Sequence, residues 1–180
     1  MKQSILLREE KLKVTLKRLA QQLIENHGDF SNTVMIGIQP KGIYLAKRLQ
    51  EEILELSQVN VSNGKLDITF YRDDFRQKGT GPLLANSTVI DFIVEDKKVI
   101  LVDDVLWTGR TIRAAIDALQ AFGRPSDVEL LVLVDRRFSR QLPIQPDYIG
   151  IQIDSIDSQK VNVRWEETDG KNEIELVSES

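Results

Sequence analysis

The chain has 180 residues, 41% hydrophobic and 29% charged, enough for one globular domain with a sizeable core and too few for two large ones. Lysine plus arginine number 24 against 28 aspartate plus glutamate, a formal charge of −4, which lacks the broad positive field of a nonspecific nucleic-acid coat. The absence of cysteine excludes disulfides, thiolate zinc sites and cysteine nucleophiles, and fits a cytoplasmic location.

The first residues offer only Ile5 to Leu7 as an apolar run, too short for a signal-peptide core. No stretch approaches the ~20 apolar residues of a membrane span, so no membrane partner is expected. Leu12, Leu16, Leu19 and Leu23 recur at helical spacing and predict an amphipathic helix from about Glu9 to Asn26, with lysines and arginines outside. The lone histidine, His27, precedes Gly28 and reads as a capping or solvated residue at the helix end. Thr33 to Ile38 is short, apolar and β-branched, and predicts a strand. Gln39-Pro40-Lys41-Gly42 follows as a loop, and Ile43, Ala46, Leu49 and Ile53 as a second helix.

Leu66 to Tyr71 alternates like a strand, and residues 72–87 read as a long mobile loop of the kind that covers active sites. Val99 to Val102 is a continuous apolar run, as for a strand buried on both faces, ending in Asp103-Asp104. Val105 to Thr111 leads into a helix expected to turn Ile112, Ala115, Ile116, Leu119 and Phe122 inward and to stop at Gly123-Arg124-Pro125. Val128 to Val134 is a further buried strand; Tyr148 to Ile153 and Val161 to Trp165 are shorter ones. The last sixteen residues carry six acidic groups and one lysine and read as a solvated acidic segment, 165–180. Strands alternating with helices predict one α/β domain over 1–180 with a mainly parallel central sheet flanked by helices.

Ligands of parallel α/β sheets bind beyond the carboxyl ends of the strands, where Asp103, Asp104 and the turn after them fall. Thr108-Gly109-Arg110-Thr111 can offer backbone N–H groups, two hydroxyls and a helix N-terminus to one anion, which together make a phosphate cradle. Carboxylates beside such a cradle suit sugar hydroxyls or a bridging divalent cation, so the string points to a phosphorylated sugar. Neither a P-loop nor a GxGxxG string occurs.

The run Val99 to Thr111 (VILVDDVLWTGRT) resembles the 5-phosphoribosyl-1-pyrophosphate (PRPP) motif of type I phosphoribosyltransferases. More narrowly, LDITFYRDD (66–74), GIYLAKRL (42–49), AAIDALQAFGRP (114–125), VLVDR (132–136) and LPIQPDYIG (142–150) resemble the pyrimidine operon regulators that double as uracil phosphoribosyltransferases. That resemblance covers nearly the whole chain. It implies the type I phosphoribosyltransferase fold with a small hood, here 135–163, and Mg2+-dependent transfer from PRPP to uracil, giving UMP and pyrophosphate.

The resemblance further implies that Asp103 and Asp104 hold the ribose hydroxyls and Thr108 to Thr111 the 5′-phosphate. Pro40, Lys41 and Gly42 stand in the pyrophosphate loop, where the family has threonine-arginine-glycine. Lysine supplies a cation there but not the planar fork of arginine. Arg72, with Asp73 and Asp74 in the mobile loop, would neutralise developing negative charge as loop closure excludes water. Magnesium would be held mainly through PRPP and pyrophosphate, so no metal-ligand set of the protein's own is expected. Arg136 and Val161 belong to the base site under the hood, whose sequence Arg137-Phe138-Ser139-Arg140 departs from the family's glycine-histidine-arginine. This leaves two alternatives open: a phosphoribosyltransferase for another base, and a nucleotide-sensing regulator with weak or no catalysis.

The regulatory half of the family function implies a messenger RNA leader as partner and a homodimer or higher homo-oligomer. Lys17, Arg18 and Arg140 are the basic residues that fit an RNA contact, whereas Gln21, Asn26, Gln145 and Ile151 stand where RNA-binding members carry basic side chains. Each missing phosphate contact would weaken the affinity.

Overall fold

A computed structural model of the chain describes residues 2–73, 85–156 and 158–178. Five strands form a parallel sheet: β2 (Thr33–Ile38), β3 (Ser62–Leu66), β4 (Lys98–Leu106), β5 (Asp127–Arg137) and β6 (Tyr148–Asp154), in the order β3-β2-β4-β5-β6. Helices α1 (Glu9–His27) and α2 (Gly42–Ser57) cover one face and α3 (Arg110–Leu119) the other. Alternation along β4 explains this double layer, because successive side chains of a strand point to opposite faces. Ile100 and Val102 pack with Leu16, Leu19, Leu45 and Leu49, while Val99 and Leu101 pack with Ile112, Ala115 and Leu119.

A second, antiparallel sheet has the order β1-β8-β7, built from β1 (Lys2–Arg8), β7 (Gln159–Arg164) and β8 (Glu173–Ser178), with a short α4 (Glu166–Asp169) before β8. The two ends of the chain therefore meet beside β7. Trp165, fully buried, lies under the Arg48 guanidinium of α2, 4.7 Å from the ring centroid, which fastens this sheet to the main body.

Several expectations need correction. Residues 165–178 are not a solvated tail: Ile174 and Glu175 of β8 are buried, and Glu175 accepts hydrogen bonds from Arg164 and Lys171. Cross-strand pairing cancels the acidic excess that looked like solvation. The expected strand at Leu66 to Tyr71 ends at Leu66, because the Asp67 carboxylate accepts the N–H groups of Thr69 and Asn86 and turns the backbone into a short 3-10 segment, Thr69–Tyr71. Ile116 and Phe122 of the third helical segment face outward. His27 ends its helix as expected but is not solvated, its side chain being 1% exposed. Its Nε2 lies 3.0 Å from Glu129 and 3.1 Å from the Tyr148 hydroxyl, and its Nδ1 lies 3.1 Å from Thr33, so the ring ties α1 to three strands. Residues 74–84, most of the expected 72–87 loop, lie outside the described residues. No described helix is long and apolar enough to cross a membrane.

Candidate functional site

The candidate site is built on the carboxyl end of β4. The strand runs past Val102 to Leu106, so Asp103 and Asp104 lie within it rather than beyond it. Parallel pairing with β5 sets Asp103 beside Val132 and Leu106 beside Asp135. Asp103 is buried and Asp104 half-buried. Burial, and then the negative charge of Asp104, push the Asp103 carboxyl well above the usual range, against the opposing charge of Arg72. Burial also raises Asp104, against the charge of Lys41. Two carboxyls that resist ionisation side by side gain from any partner that donates hydrogen bonds to them or brings positive charge.

Gly109 follows with φ +90°, a left-handed conformation that L side chains rarely adopt, and caps the start of α3. The N–H groups at the start of a helix have no acceptor within it, so an anion can take them. Thr108 Oγ1 accepts the Arg110 N–H at 3.3 Å. The Arg110 side chain donates to Gln141 at 2.8 Å and pairs with Asp73. Both partners belong to segments that are remote in sequence and border the same space.

On the other side, the Pro40 to Gly42 loop presses onto β4. A Cβ at Gly42 would come 2.3 Å from the Val102 carbonyl and 3.1 Å from the Asp103 Cα, so only glycine permits this approach. The Gln39–Pro40 peptide is cis. Lys41 donates to the Val163 carbonyl of β7 and lies 3.9 Å from Asp169, so its ammonium bridges the loop and the small sheet.

A cavity of about 550 Å³ opens above these elements. Its walls include Arg72, the Thr108 to Thr111 turn, Trp107, Arg136 and the β7 stretch Gln159 to Asn162. Of the residues singled out from sequence, the fold gathers Arg72, Thr108, Gly109, Arg110, Thr111, Arg136 and Val161 around this one space. Asp103, Asp104, Pro40, Lys41 and Gly42 are not among its lining: the two aspartates belong to β4 just before Val105, and Gly42 packs on that strand. Gln141 and Asn162 also line it and went unnoticed, since nothing in an isolated polar residue marks it as facing a ligand. The small sheet over the cavity exceeds the expected 135–163 hood, because β1 and β8 belong to it.

The three basic residues matched to RNA lie apart from the cavity. Arg18 donates to the carbonyls of Ile149 and Gly150, and Arg140 to the carbonyl of Trp107 and the carboxylate of Asp135, so both spend their donors inside the chain. Lys17 is exposed, 3.9 Å from Glu55. Among the described residues, no three acidic, histidine or cysteine side chains converge as a metal site. A divalent cation here would have two carboxylates, Asp103 and Asp104, and would need its remaining ligands from substrate and water.

A family model for the phosphoribosyl transferase domain matches residues 2–168. The chain is 47% identical over 163 residues to the Bifunctional protein PyrR of Desulfosudis oleivorans, spanning 91% of this chain and 90% of that protein. It is 44% identical over 180 residues to the protein of the same name from Bacillus subtilis, spanning 98% and 97%. Among solved structures, the hypoxanthine phosphoribosyltransferase of Trypanosoma cruzi with the product IMP superposes with a TM-score of 0.73 at 18% identity, over 97% of this chain and 93% of that one. A hypoxanthine-guanine phosphoribosyltransferase of Bacillus anthracis gives 0.72 at 21% identity, over 98% of each chain. The five-stranded parallel sheet, the glycine turn between β4 and α3 and these matches agree: the chain belongs to the type I phosphoribosyltransferases, within the family of the bifunctional PyrR proteins.

Proposed function

We propose that the chain transfers the 5-phosphoribosyl group of PRPP to uracil, giving UMP and pyrophosphate. The observation that carries this reading is the convergence on one cavity of the Thr108 to Thr111 turn, Arg72 and the β7 edge, beside the Asp103-Asp104 pair. The turn and the α3 N-terminus take the 5′-phosphate, for which the phosphate competes with Asp73 over Arg110. Asp103 and Asp104 take the ribose hydroxyls, whose donors relieve the repulsion between the two carboxyls. The Lys41 and Gly42 loop takes the pyrophosphate.

In the reaction, uracil N1 forms a bond to C1 of the ribose while the C1–oxygen bond to pyrophosphate breaks. The pyrophosphate leaves with the bonding electrons, and the N1 proton passes to solvent. No side chain acts as nucleophile, so rate enhancement rests on positioning and on charge stabilisation by Lys41 and Arg72. Mg2+, when bound, would supply charge neutralisation on the pyrophosphate and would be held mainly through PRPP and pyrophosphate, with Asp103 and Asp104 the nearest carboxylates of the protein.

β7 is the edge strand of its sheet. The Val163 carbonyl turns outward to Lys41, and alternation along a strand turns the backbone groups of Val161 the same way, toward the cavity. A strand edge offering one N–H and one C=O matches the imide edge of uracil, and Arg136 adds a cation at the same wall.

The name carried by the relatives supports a regulatory role as well; a messenger RNA leader as partner, a cytoplasmic location and a homo-oligomeric state are what the sequence resemblance implies. Internal engagement of Arg18 and Arg140 and the neutral Gln145 favour the enzyme as the main activity. Pyrophosphate release with Mg2+ and PRPP, comparing uracil, orotate, hypoxanthine, guanine and adenine, tests the reading. Release that depends on uracil supports it. Release with another base moves the specificity, and tight UMP binding without release makes the chain a sensor.

A further inference from the structure

The chain has two tryptophans, and they sit in opposite environments. Trp165 is fully buried, whereas Trp107 is 44% exposed and lines the cavity. An indole left open to water in a cavity that also presents Arg72, Thr108 and Arg110 is a surface held ready for a flat ligand.

That indole is also fixed. The Arg136 guanidinium carbon stands 4.9 Å from the ring centroid. Arg136 is itself only 3% exposed, and it donates through Nε to Ser155 Oγ at 2.8 Å and through Nη2 to the Ile156 carbonyl at 3.1 Å. Backbone movement is restrained as well, because the Trp107 carbonyl accepts from Arg140. Swinging the ring aside would forfeit the cation–π contact and expose one face of a buried guanidinium. The wall is therefore rigid, and it lines the same cavity as the Thr108 to Thr111 turn and the β7 edge, to which the reading above assigns phosphate and base.

We propose that Trp107, locked by Arg136, sets the size of the base: the indole fills the space that the second ring of a purine would need. This rests on the uracil reading above. A fixed wall rejects by overlap, which discriminates more strongly than a missing contact in a soft pocket. Thr108, its neighbour along the chain, and Asp104, three residues before it, serve phosphate and ribose in that reading, so Trp107 governs which base is accepted and leaves PRPP binding alone.

The test is the ratio of kcat/KM for uracil to that for hypoxanthine and guanine, in the parent, Trp107→Ala and Trp107→Phe. Trp107→Ala shifts the ratio at least tenfold toward the purines with the KM for PRPP unchanged, and Trp107→Phe shifts it less. A purely structural Trp107 would lower all bases alike, and an unchanged ratio overturns the proposal while the uracil reading stands. A parent that prefers a purine overturns the uracil reading itself. Fluorescence gives a second readout that needs no turnover. UMP alters the emission of the parent and leaves that of Trp107→Phe, which retains Trp165, unaltered; a response that persists in the variant contradicts contact between Trp107 and the base.

Discussion

The two sheets of the molecule carry charge in opposite ways. At the end of the parallel sheet, buried Asp103 stands beside half-buried Asp104, and both are raised from the ordinary carboxylate value by burial and, for Asp103, by its neighbour's charge. In the small sheet, Glu175 is equally buried, yet its pKa falls to about 2: burial would raise it, but hydrogen bonds from Lys171 and Arg164 outweigh that effect. A buried carboxylate supplied with donors holds structure together, whereas a buried pair left short of them is under tension that a ligand can relieve.

That contrast breaks most visibly at the aspartates. Replacing both Asp103 and Asp104 by asparagine should lower transfer about a thousandfold, roughly 4 kcal/mol of transition-state stabilisation, while raising the thermal midpoint at neutral pH. The sign follows from linkage. Carboxyls raised in the fold bind more protons than in the unfolded chain, so their contribution declines as pH climbs from the ordinary value of 3.8 through the raised ones. Removing them removes that decline, and melting curves taken across pH would display it.

Glu175→Gln should behave in the opposite sense, lowering stability by about 1–3 kcal/mol at neutral pH through lost charge-assisted bonds. The contribution of Glu175 is complete above its ordinary 4.5 and lost as pH falls toward about 2, so parent and variant should converge in acid. Denaturant titrations at several pH values measure it.

Gly42→Ala sharpens the link between loop and sheet. A Cβ 2.3 Å from the Val102 carbonyl must displace backbone, at about 1–3 kcal/mol, and the KM for PRPP should rise more than that for uracil. Smallest of all, Lys41→Arg should lower the KM for PRPP a few-fold, since a guanidinium grips phosphate oxygens in pairs; an unchanged or raised KM in steady-state kinetics would detach Lys41 from the pyrophosphate.

The site at the end of β4 was legible because strand, turn and helix start are contiguous from Val99 to Thr111, and each local rule points the same way. The small sheet was not legible. β1 pairs with β8 across almost the whole chain, Lys2 against Ser178, and no local pattern announces such a partner. Glu175 looked solvated because Arg164, its counterion, lies on the neighbouring strand. His27 failed for the same reason, its partners Glu129 and Tyr148 being more than a hundred residues away. At Leu66 to Tyr71 the apolar alternation was real, but two backbone bonds to the Asp67 carboxylate decided the conformation.

The central claim is that Asp103, Asp104 and the Thr108 to Thr111 turn form a PRPP site. Titration calorimetry of PRPP with Mg2+ into the parent and into the Asp103→Asn/Asp104→Asn variant tests it without requiring turnover or knowledge of the base. The parent should bind, and the folded variant should bind at least tenfold more weakly. Equal affinity in the two proteins would contradict the account.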